Sequence, residues 1–379
     1  MSSTQVRDPE GRLGGAAWVA EVIRRAIEKK VSDVQFRFIG DIENARGLLI
    51  ARASVNRRYQ EWGRLEDARA AEALGYLKLS SELTTGPITR GYFGRWLFDG
   101  VEPAVDLRVT AASTLMGETF SVRHQTVQRV PLLSTIRFSE HNRALMMHAM
   151  KHPYGLFGVA GPGSSGKSYL TDSQLQFVAS AEINAISVEH PAERRMPGVD
   201  QIEINDDTGN DYESVLGLLR RMHMQVLKLG ELNFHEAAVA AVEIANAGTR
   251  VFTTLHANDA VDALTTVAEL SGKPARLIAN TTRMLISQRL LRAICPGCLK
   301  AGCERCEGSG VSGVVPVQQV LVMTEQLNEA FSRGAGRVEL LAAARAGGMR
   351  TLWEDADELI AAGRTDEAEA EFEIGPRNA

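Results

Sequence analysis

Apolar positions follow several rhythms along this chain, and changes of rhythm mark out its parts. From Trp18 to Lys29 they recur with helical spacing, Val19, Val22, Ile23 and Ile27 falling near one face, which predicts an amphipathic helix. Val34, Phe36 and Phe38 then alternate with Gln35 and Arg37, the two-residue period of a half-buried strand. Glu61 to Leu79 reads as helical, and Asp106–Thr110 and Thr119–Arg123 read as two further strands of a mixed sheet. Val127 to Thr135 carries Pro131 and no clear period, which predicts a linker. Beyond it the rhythm changes to short, nearly continuous apolar runs: Gly155–Ala160, Asn184–Glu189, Met224–Glu231 and Thr249–His256. Runs of that kind, separated by helical stretches, predict a parallel sheet covered on both faces.

Composition narrows the class without changing this picture. The 379 residues suit two domains, and 44% hydrophobic with 23% charged residues is ordinary for a globular protein. A net charge of −5 argues against general nucleic-acid binding. No apolar run reaches the ~20 residues that a membrane span requires. The first residues, Met1-Ser-Ser-Thr-Gln-Val-Arg-Asp8, lack the apolar core of a signal peptide, so a cytoplasmic chain is expected, attached to membrane only through partners.

The chemistry concentrates in the second block. Gly161-Pro-Gly-Ser-Ser-Gly-Lys-Ser168 follows an apolar strand and precedes a helical stretch beginning near Tyr169, the context of a phosphate-binding loop. Gly161, Pro162, Gly163, Ser164, Ser165 and Gly166 form a loop whose backbone N–H groups turn toward phosphate oxygens. Lys167 is placed to reach the outer phosphates and Ser168 to hold Mg²⁺, which points to a nucleoside triphosphate. Glu189, Glu231 and His256 each end a predicted strand, and ligands of open α/β sheets gather at that edge. Singly, each admits a plainer reading: a solvated Glu189, a Glu231 capping the helix near Phe234, a loop histidine. Jointly with the phosphate loop they form a set suited to hydrolysis, in which one carboxylate handles water, another supports the Mg²⁺ shell and a donor senses the γ-phosphate.

All four cysteines lie within twelve residues, Cys295-Pro-Gly-Cys298 and Cys303-Glu-Arg-Cys306. Paired Cys-x-x-Cys in a reducing compartment points to structural tetrahedral zinc, with redox chemistry or a metal-free loop as the alternatives.

The order of these motifs resembles the secretion ATPases of type II secretion, type IV pilus assembly and conjugative type IV secretion, from about residue 16 to 365. Val188-Glu-His-Pro-Ala-Glu193 resembles the family's acidic box, and Leu229-Gly-Glu231 its Walker B segment. Thr253-Thr-Leu-His-Ala-Asn-Asp-Ala260 is similar to its histidine box. Ile286-Ser-Gln-Arg-Leu-Leu-Arg-Ala-Ile-Cys-Pro-Gly-Cys298 resembles the helix leading into its four-cysteine module. Arg24–Val34 and Asp106-Leu-Arg-Val109 resemble landmarks of a PAS-like N-terminal domain.

That resemblance implies an α/β protein. A PAS-like α+β domain (14–128) follows a flexible N-terminus (1–13), and a linker (129–136) leads to a RecA-like P-loop domain (137–294). A zinc knuckle (295–313) and a helical C-terminal region (314–379) complete the expected order. It implies Glu189 as general base, Glu231 as Walker B carboxylate, His256 as γ-phosphate sensor, and Arg108 and Arg123 as arginines brought onto the nucleotide. It further implies ATP, Mg²⁺ and Zn²⁺ as cofactors and a homohexameric motor for pilus assembly or protein secretion. Its expected partners are an inner-membrane platform protein and an adaptor at the cytoplasmic face. Pilus retraction, conjugative export and a ring subunit with little hydrolysis are the alternatives. Departures from the family pattern are His190 in place of Asp, Glu231-Leu-Asn-Phe234 in place of Glu-Ile-Arg-Asp, and closely spaced cysteine pairs.

Overall fold

In a computed structural model, the described residues are 14–41, 46–83, 86–124, 130–190, 192, 194–205, 209–219 and 221–377. The expected flexible N-terminus (1–13) and the 125–129 portion of the domain boundary lie outside them. The chain divides into two compact units, one of residues 1–127 with 297–312, the other of 128–296 with 313–379. The cysteine loop thus groups with the first unit although its flanking segments belong to the second.

The first unit runs α1 (Gly15–Glu28), β1 (Asp33–Asp41), β2 (Arg46–Val55), β3 (Arg58–Glu66), α2 (Asp67–Ser80), β4 (Tyr92–Phe98), β5 (Val105–Thr114) and β6 (Gly117–His124). Its six-stranded sheet has the order β3-β2-β1-β6-β5-β4. All of its pairings are antiparallel, not mixed as the sequence suggested. The strands β1–β3 and β4–β6 are successive neighbours joined by short connections, which favour antiparallel pairs. The stretch from Glu61 divides between β3 and α2, with the helix starting at Asp67 rather than Glu61. Trp18, Val19, Val22 and Ile23 of α1 and Ala70, Ala73, Leu74 and Leu77 of α2 pack with Phe36, Phe38, Phe120 and Val122 into one core.

The second unit carries α3 (Glu140–Ala149), β7 (Gly155–Ala160), α4 (Lys167–Val178), β8 (Ala185–Glu189), β9 (Asp200–Glu203), α5 (Tyr212–Leu219), β10 (Val226–Leu232), α6 (His235–Asn246) and β11 (Arg250–Leu255). It continues with α7 (Ala260–Ser271), α8 (Ala275–Thr281), β12 (Thr282–Ile294), β13 (Val311–Val322), α9 (Glu325–Ser332), α10 (Arg337–Ala346), α11 (Leu352–Ala361) and α12 (Glu367–Ile374). Seven strands form one sheet in the order β13-β12-β7-β11-β10-β8-β9. The pairs from β12 through β9 are parallel. The segment entering the cysteine loop is therefore strand β12, not the expected helix. Its burial alternates or runs continuously, as for a strand lying beside β7. The expected helical C-terminal region likewise begins with a strand, β13, before four helices.

Alternation along the central strands sends successive side chains to opposite faces. Leu156, Ile186, Val188, Leu227, Leu229 and Val251 join the core beneath α5 to α10. Phe157, Val159, Ala185, Val226 and Phe252 join the core beneath α3 and α4. Phe157 and Phe252 stack across β7 and β11 with centroids 5.3 Å apart. Fully burying one such ring stabilises the fold by about 1.5–3 kcal/mol. Lys228, between Leu227 and Leu229, shares the α4 face with Ser187 and Glu189, which makes that face polar near its edge.

Candidate functional site

Strand β7 is buried at all six positions, and the chain leaves its carboxyl end directly into the phosphate loop. Gly161 has φ +152°, and a Cβ there would lie 2.6 Å from the Gln288 carbonyl and the Ser165 hydroxyl. Gly166 sits in the left-handed region at φ 81° and starts α4, where a Cβ would meet the Gln288 amide nitrogen at 2.9 Å. Both positions therefore require glycine for space and for backbone conformation. Gln288 of β12 braces the loop from behind. Its Nε2 donates to the Ser165 carbonyl at 2.7 Å, and its Oε1 accepts from Gln318 of β13 at 3.3 Å. Sequence reasoning missed this support, because Gln288 looked like one polar residue in a helical motif.

Lys167 folds back over the loop, its Nζ donating to the carbonyls of Gly161 at 3.0 Å and Pro162 at 3.2 Å. Glu231 stands 3.5 Å from the same ammonium, and His256 Nε2 lies 3.0 Å from the Glu231 carboxylate. Burial lowers the Lys167 pKa from its ordinary value; Glu231 opposes the shift and Arg289 adds to it. Loop, lysine, carboxylate and imidazole thus share one strand-end cluster. Glu231 is not the N-cap of α6, which begins at His235 with Phe234 as its N-cap and no side-chain cap hydrogen bond. The Glu231 and His256 side chains remain 35% and 55% exposed, so both are open to a ligand.

Glu189 occupies a different environment. It is buried, and its Oε1 accepts from the Ser187 hydroxyl at 3.0 Å and from Gln201 Nε2 at 3.2 Å. Its Oε2 accepts from Lys228, whose ammonium also reaches Asp172 of α4, both at 2.5 Å. Asp172 in turn accepts from Arg194 at 2.8 Å. Burial by itself lowers the Lys228 pKa, but the two carboxylates outweigh it and hold the ammonium above its ordinary value. A solvated Glu189 is ruled out by this cluster. Neither Lys228 nor Asp172 was singled out from the sequence, since each looked like an isolated charge in an apolar or helical run.

In the first unit, Arg108 of β5 pairs directly with Arg123 of β6. Arg95 of β4 pairs with Arg108 on the other side, so three arginines stand in one cross-strand row. Arg123 Nε donates to Asp33 at 2.7 Å. Like charges placed opposite one another destabilise a sheet. Each of the three also has a partner of its own, so the row is compensated within the fold. Arg95 was not read as a site residue, because its register with the other two is invisible without the sheet.

The four cysteine sulfurs lie within 4.8 Å of one another, and none is in a disulfide. Cys306 Sγ is 3.6 Å from Cys298 Sγ and 3.7 Å from Cys303 Sγ. Four sulfurs at the usual Zn–S distance would stand about 3.8 Å apart. Backbone N–H groups of Cys303 and Gly310 both point at Cys306 Sγ at 3.3 Å. Desolvation raises the Cys306 thiol, but these amides and the neighbouring thiols bring its pKa down to about 6. The donor set fits zinc.

The sequence profile described as Type II/IV secretion system protein matches residues 95–372. The chain belongs to that family. It is 27% identical over 366 residues to the Type IV pilus assembly ATPase PilB of Thermus thermophilus, covering 89% of this chain and 40% of that protein. It is 27% identical over 369 residues to the Type II secretion system protein E of Dickeya dadantii, covering 91% of this chain and 72% of that one. The chain thus spans less than half of the Thermus relative. Among solved structures, the Legionella pneumophila ATPase DotB superposes with TM-score 0.72 at 18% identity, covering 97% of both chains. The pilus retraction motor PilT with bound ADP gives TM-score 0.64 at 18% identity, covering 93% of this chain and 95% of that one. At such identities the likeness establishes the fold.

Proposed function

We propose that this chain is an ATP-hydrolysing motor subunit for pilus assembly or protein secretion. The observation that carries the reading is the meeting of Lys167 with Glu231 and His256 at the end of a loop in which Gly161 and Gly166 leave no room for a side chain. In this reading the loop amides and Lys167 bind the β- and γ-phosphates, and Ser168 and Glu231 serve the Mg²⁺ shell. His256 reports the γ-phosphate, and Glu189 acts on the attacking water. Phosphoryl transfer asks mainly for positioning and charge stabilisation, which these groups supply. Arg95, Arg108 and Arg123 provide permanent cationic forks for phosphate oxygens.

The first unit is the PAS-like domain of the proposal, supported by its two helices packed on a single sheet. Cys295, Cys298, Cys303 and Cys306 hold one structural zinc, supported by the compact thiol set. The working assembly is a homohexamer at the cytoplasmic face of the inner membrane, reached through a platform protein and an adaptor. Among the described residues no helix is long and apolar enough to cross a membrane. A second reading, a nucleotide-binding ring subunit with little hydrolysis, draws on the engagement of both Glu189 oxygens.

ATP turnover by the full chain decides between these readings. Lys167→Ala tests the site: nucleotide affinity and turnover should fall together while the circular dichroism spectrum stays that of the wild type, because Lys167 contacts loop carbonyls rather than core. Wild-type affinity in Lys167→Ala would overturn the phosphate-loop assignment.

A further inference from the structure

The centre of β10 holds an ion cluster that the phosphate-loop chemistry leaves unexplained. Strand β10 lies inside the sheet, paired with β8 and β11. Its core positions are aliphatic, yet Lys228 sits among them only 3% exposed, opposite Phe252 on β11 and Ser187 on β8. An ammonium in that place is costly to desolvate and is tolerated only with close counter-charges. Asp172 from α4 and Glu189 from β8 supply them, and Arg194 balances Asp172 from the segment after β8. Two positive and two negative groups leave the cluster neutral. Replacing such a buried set by apolar residues is often neutral or stabilising, so folding alone does not account for it.

We infer that Lys228 is a positioning residue for Glu189, fixing the direction of its carboxylate so that Glu189 orients the attacking water as a hydrogen-bond acceptor. The inference rests on the reading of this chain as an ATPase. A carboxylate has about four acceptor sites. Glu189 Oε1 has two donors, Ser187 and Gln201, and Oε2 has one, Lys228. One acceptor direction remains, on Oε2, and the ammonium sets it. A carboxylate held by three donors presents its remaining lone pair in a fixed direction. That suits a loose phosphoryl-transfer transition state, in which positioning of the nucleophile matters more than early removal of its proton. Gln201 also ties this geometry to the following loop, accepting from the Met196 N–H at 2.8 Å and donating to the Arg194 carbonyl at 2.8 Å. Asp172 acts one step further out, as the group that keeps Lys228 in place.

The test is steady-state ATP hydrolysis by full-length Lys228→Met, Lys228→Arg and the double variant Asp172→Asn/Lys228→Met, with MgADP affinity measured in parallel. The double variant guards against misfolding, because Arg194 and Glu189 remain and the cluster stays near neutral. Both methionine variants should lose about 100-fold in kcat, the scale of a small misplacement of a reacting group. MgADP affinity should change less than about threefold, since Lys167 and its loop are untouched. Lys228→Arg should recover part of the loss. A folded double variant with wild-type kcat would overturn the inference and leave the ATPase reading standing. A wild-type chain that binds MgADP but hydrolyses no ATP at any pH would overturn the ATPase reading and the inference with it.

Discussion

Substituting Glu189 by Gln is a sharper perturbation in this fold than its near-identical shape suggests. The carboxylate accepts from Ser187 and Gln201 on one oxygen and from Lys228 on the other. An amide has one oxygen and one NH₂ group, so it must present a donor either to the Lys228 ammonium or to the Ser187–Gln201 pair. In either orientation a buried donor faces a donor. The cluster also changes from neutral to one net positive charge, with Arg194 and Lys228 left against Asp172 alone. A hydrogen bond to a charged group contributes about 1.5–3 kcal/mol. Breaking a buried ion pair outright costs about 3–5 kcal/mol. Because Asp172 still holds Lys228, the expected loss lies between these limits, at about 2–3 kcal/mol. For a unit of this size that lowers the unfolding midpoint by about 5–10 °C.

Thermal unfolding followed by circular dichroism, with MgADP binding and ATP turnover on the same samples, reads all three consequences. Glu189→Gln should unfold earlier, bind MgADP like the wild type and hydrolyse little ATP. Adding Lys228→Met to it should restore most of the lost stability, because Arg194 and Asp172 then balance, while turnover stays low. A Glu189→Gln protein as stable as the wild type, or a double variant no more stable than the single, would refute the cluster's charge balance. Wild-type turnover in Glu189→Gln with a dead Glu231→Gln would exchange the roles proposed for the two carboxylates.

Other outcomes follow from separate parts of the molecule. Freshly reduced protein should carry about one zinc per chain by elemental analysis, as four thiolates require; chelation should expose the 295–310 region to proteolysis while MgADP binding persists, and metal-free protein would reject the site. Arg108→Ala and Arg123→Ala should reduce turnover more than they weaken MgADP binding, as for groups acting on transition-state charge; equal effects on both would make them simple binding contacts. Glu354 is held at about 2, below its ordinary 4.5, chiefly by Arg345. A depressed carboxylate stabilises the fold above its ordinary pKa and loses that contribution as pH falls through the folded value. Acid unfolding between about pH 4.5 and 2 should therefore be less steep in Glu354→Gln; an unchanged acid transition would show the Arg345 pair to be without effect.

Much of the fold was legible because it rests on local rhythm. The α1 stripe of Val19, Val22 and Ile23 and the β1 alternation of Val34, Phe36 and Phe38 both mark buried faces. The short apolar runs before Gly161, at Glu189, at Glu231 and before His256 all became strands of one sheet. What misled was polar strand sequence. Glu61–Glu66, the second part of β3, carries Glu61, Arg64 and Glu66 and reads as the start of a helix. β12 reads Thr-Arg-Met-Leu-Ile-Ser-Gln-Arg-Leu-Leu-Arg-Ala-Ile, whose leucines and arginines have good helix propensity. Pairing with β7 and burial of most of its length outweigh that preference, the usual override of propensity by tertiary context.

The site was legible only as far as single motifs reach. Gly161 to Ser168, Glu231 and His256 lie at the ends of adjacent strands, so the parallel-sheet pattern alone brings them together. Register and pairing between segments distant in sequence carry the rest: Arg95 beside Arg108, Gln288 behind Ser165, Lys228 between Asp172 and Glu189. Two carboxylates that look alike in sequence consequently receive opposite settings. Glu231 is part exposed, between an ammonium and an imidazole that a ligand can displace or recruit. Glu189 is buried, with its charge committed to a lysine that has no exit to solvent. Environments that differ this much divide labour between otherwise equal groups. In the proposed ATPase reading, Glu231 is the carboxylate with room to change partners, while Glu189 holds a direction. On that proposed division, Glu231 and His256 are the exposed groups that a ligand meets, and Glu189 and Lys228 are the buried pair that fixes a direction.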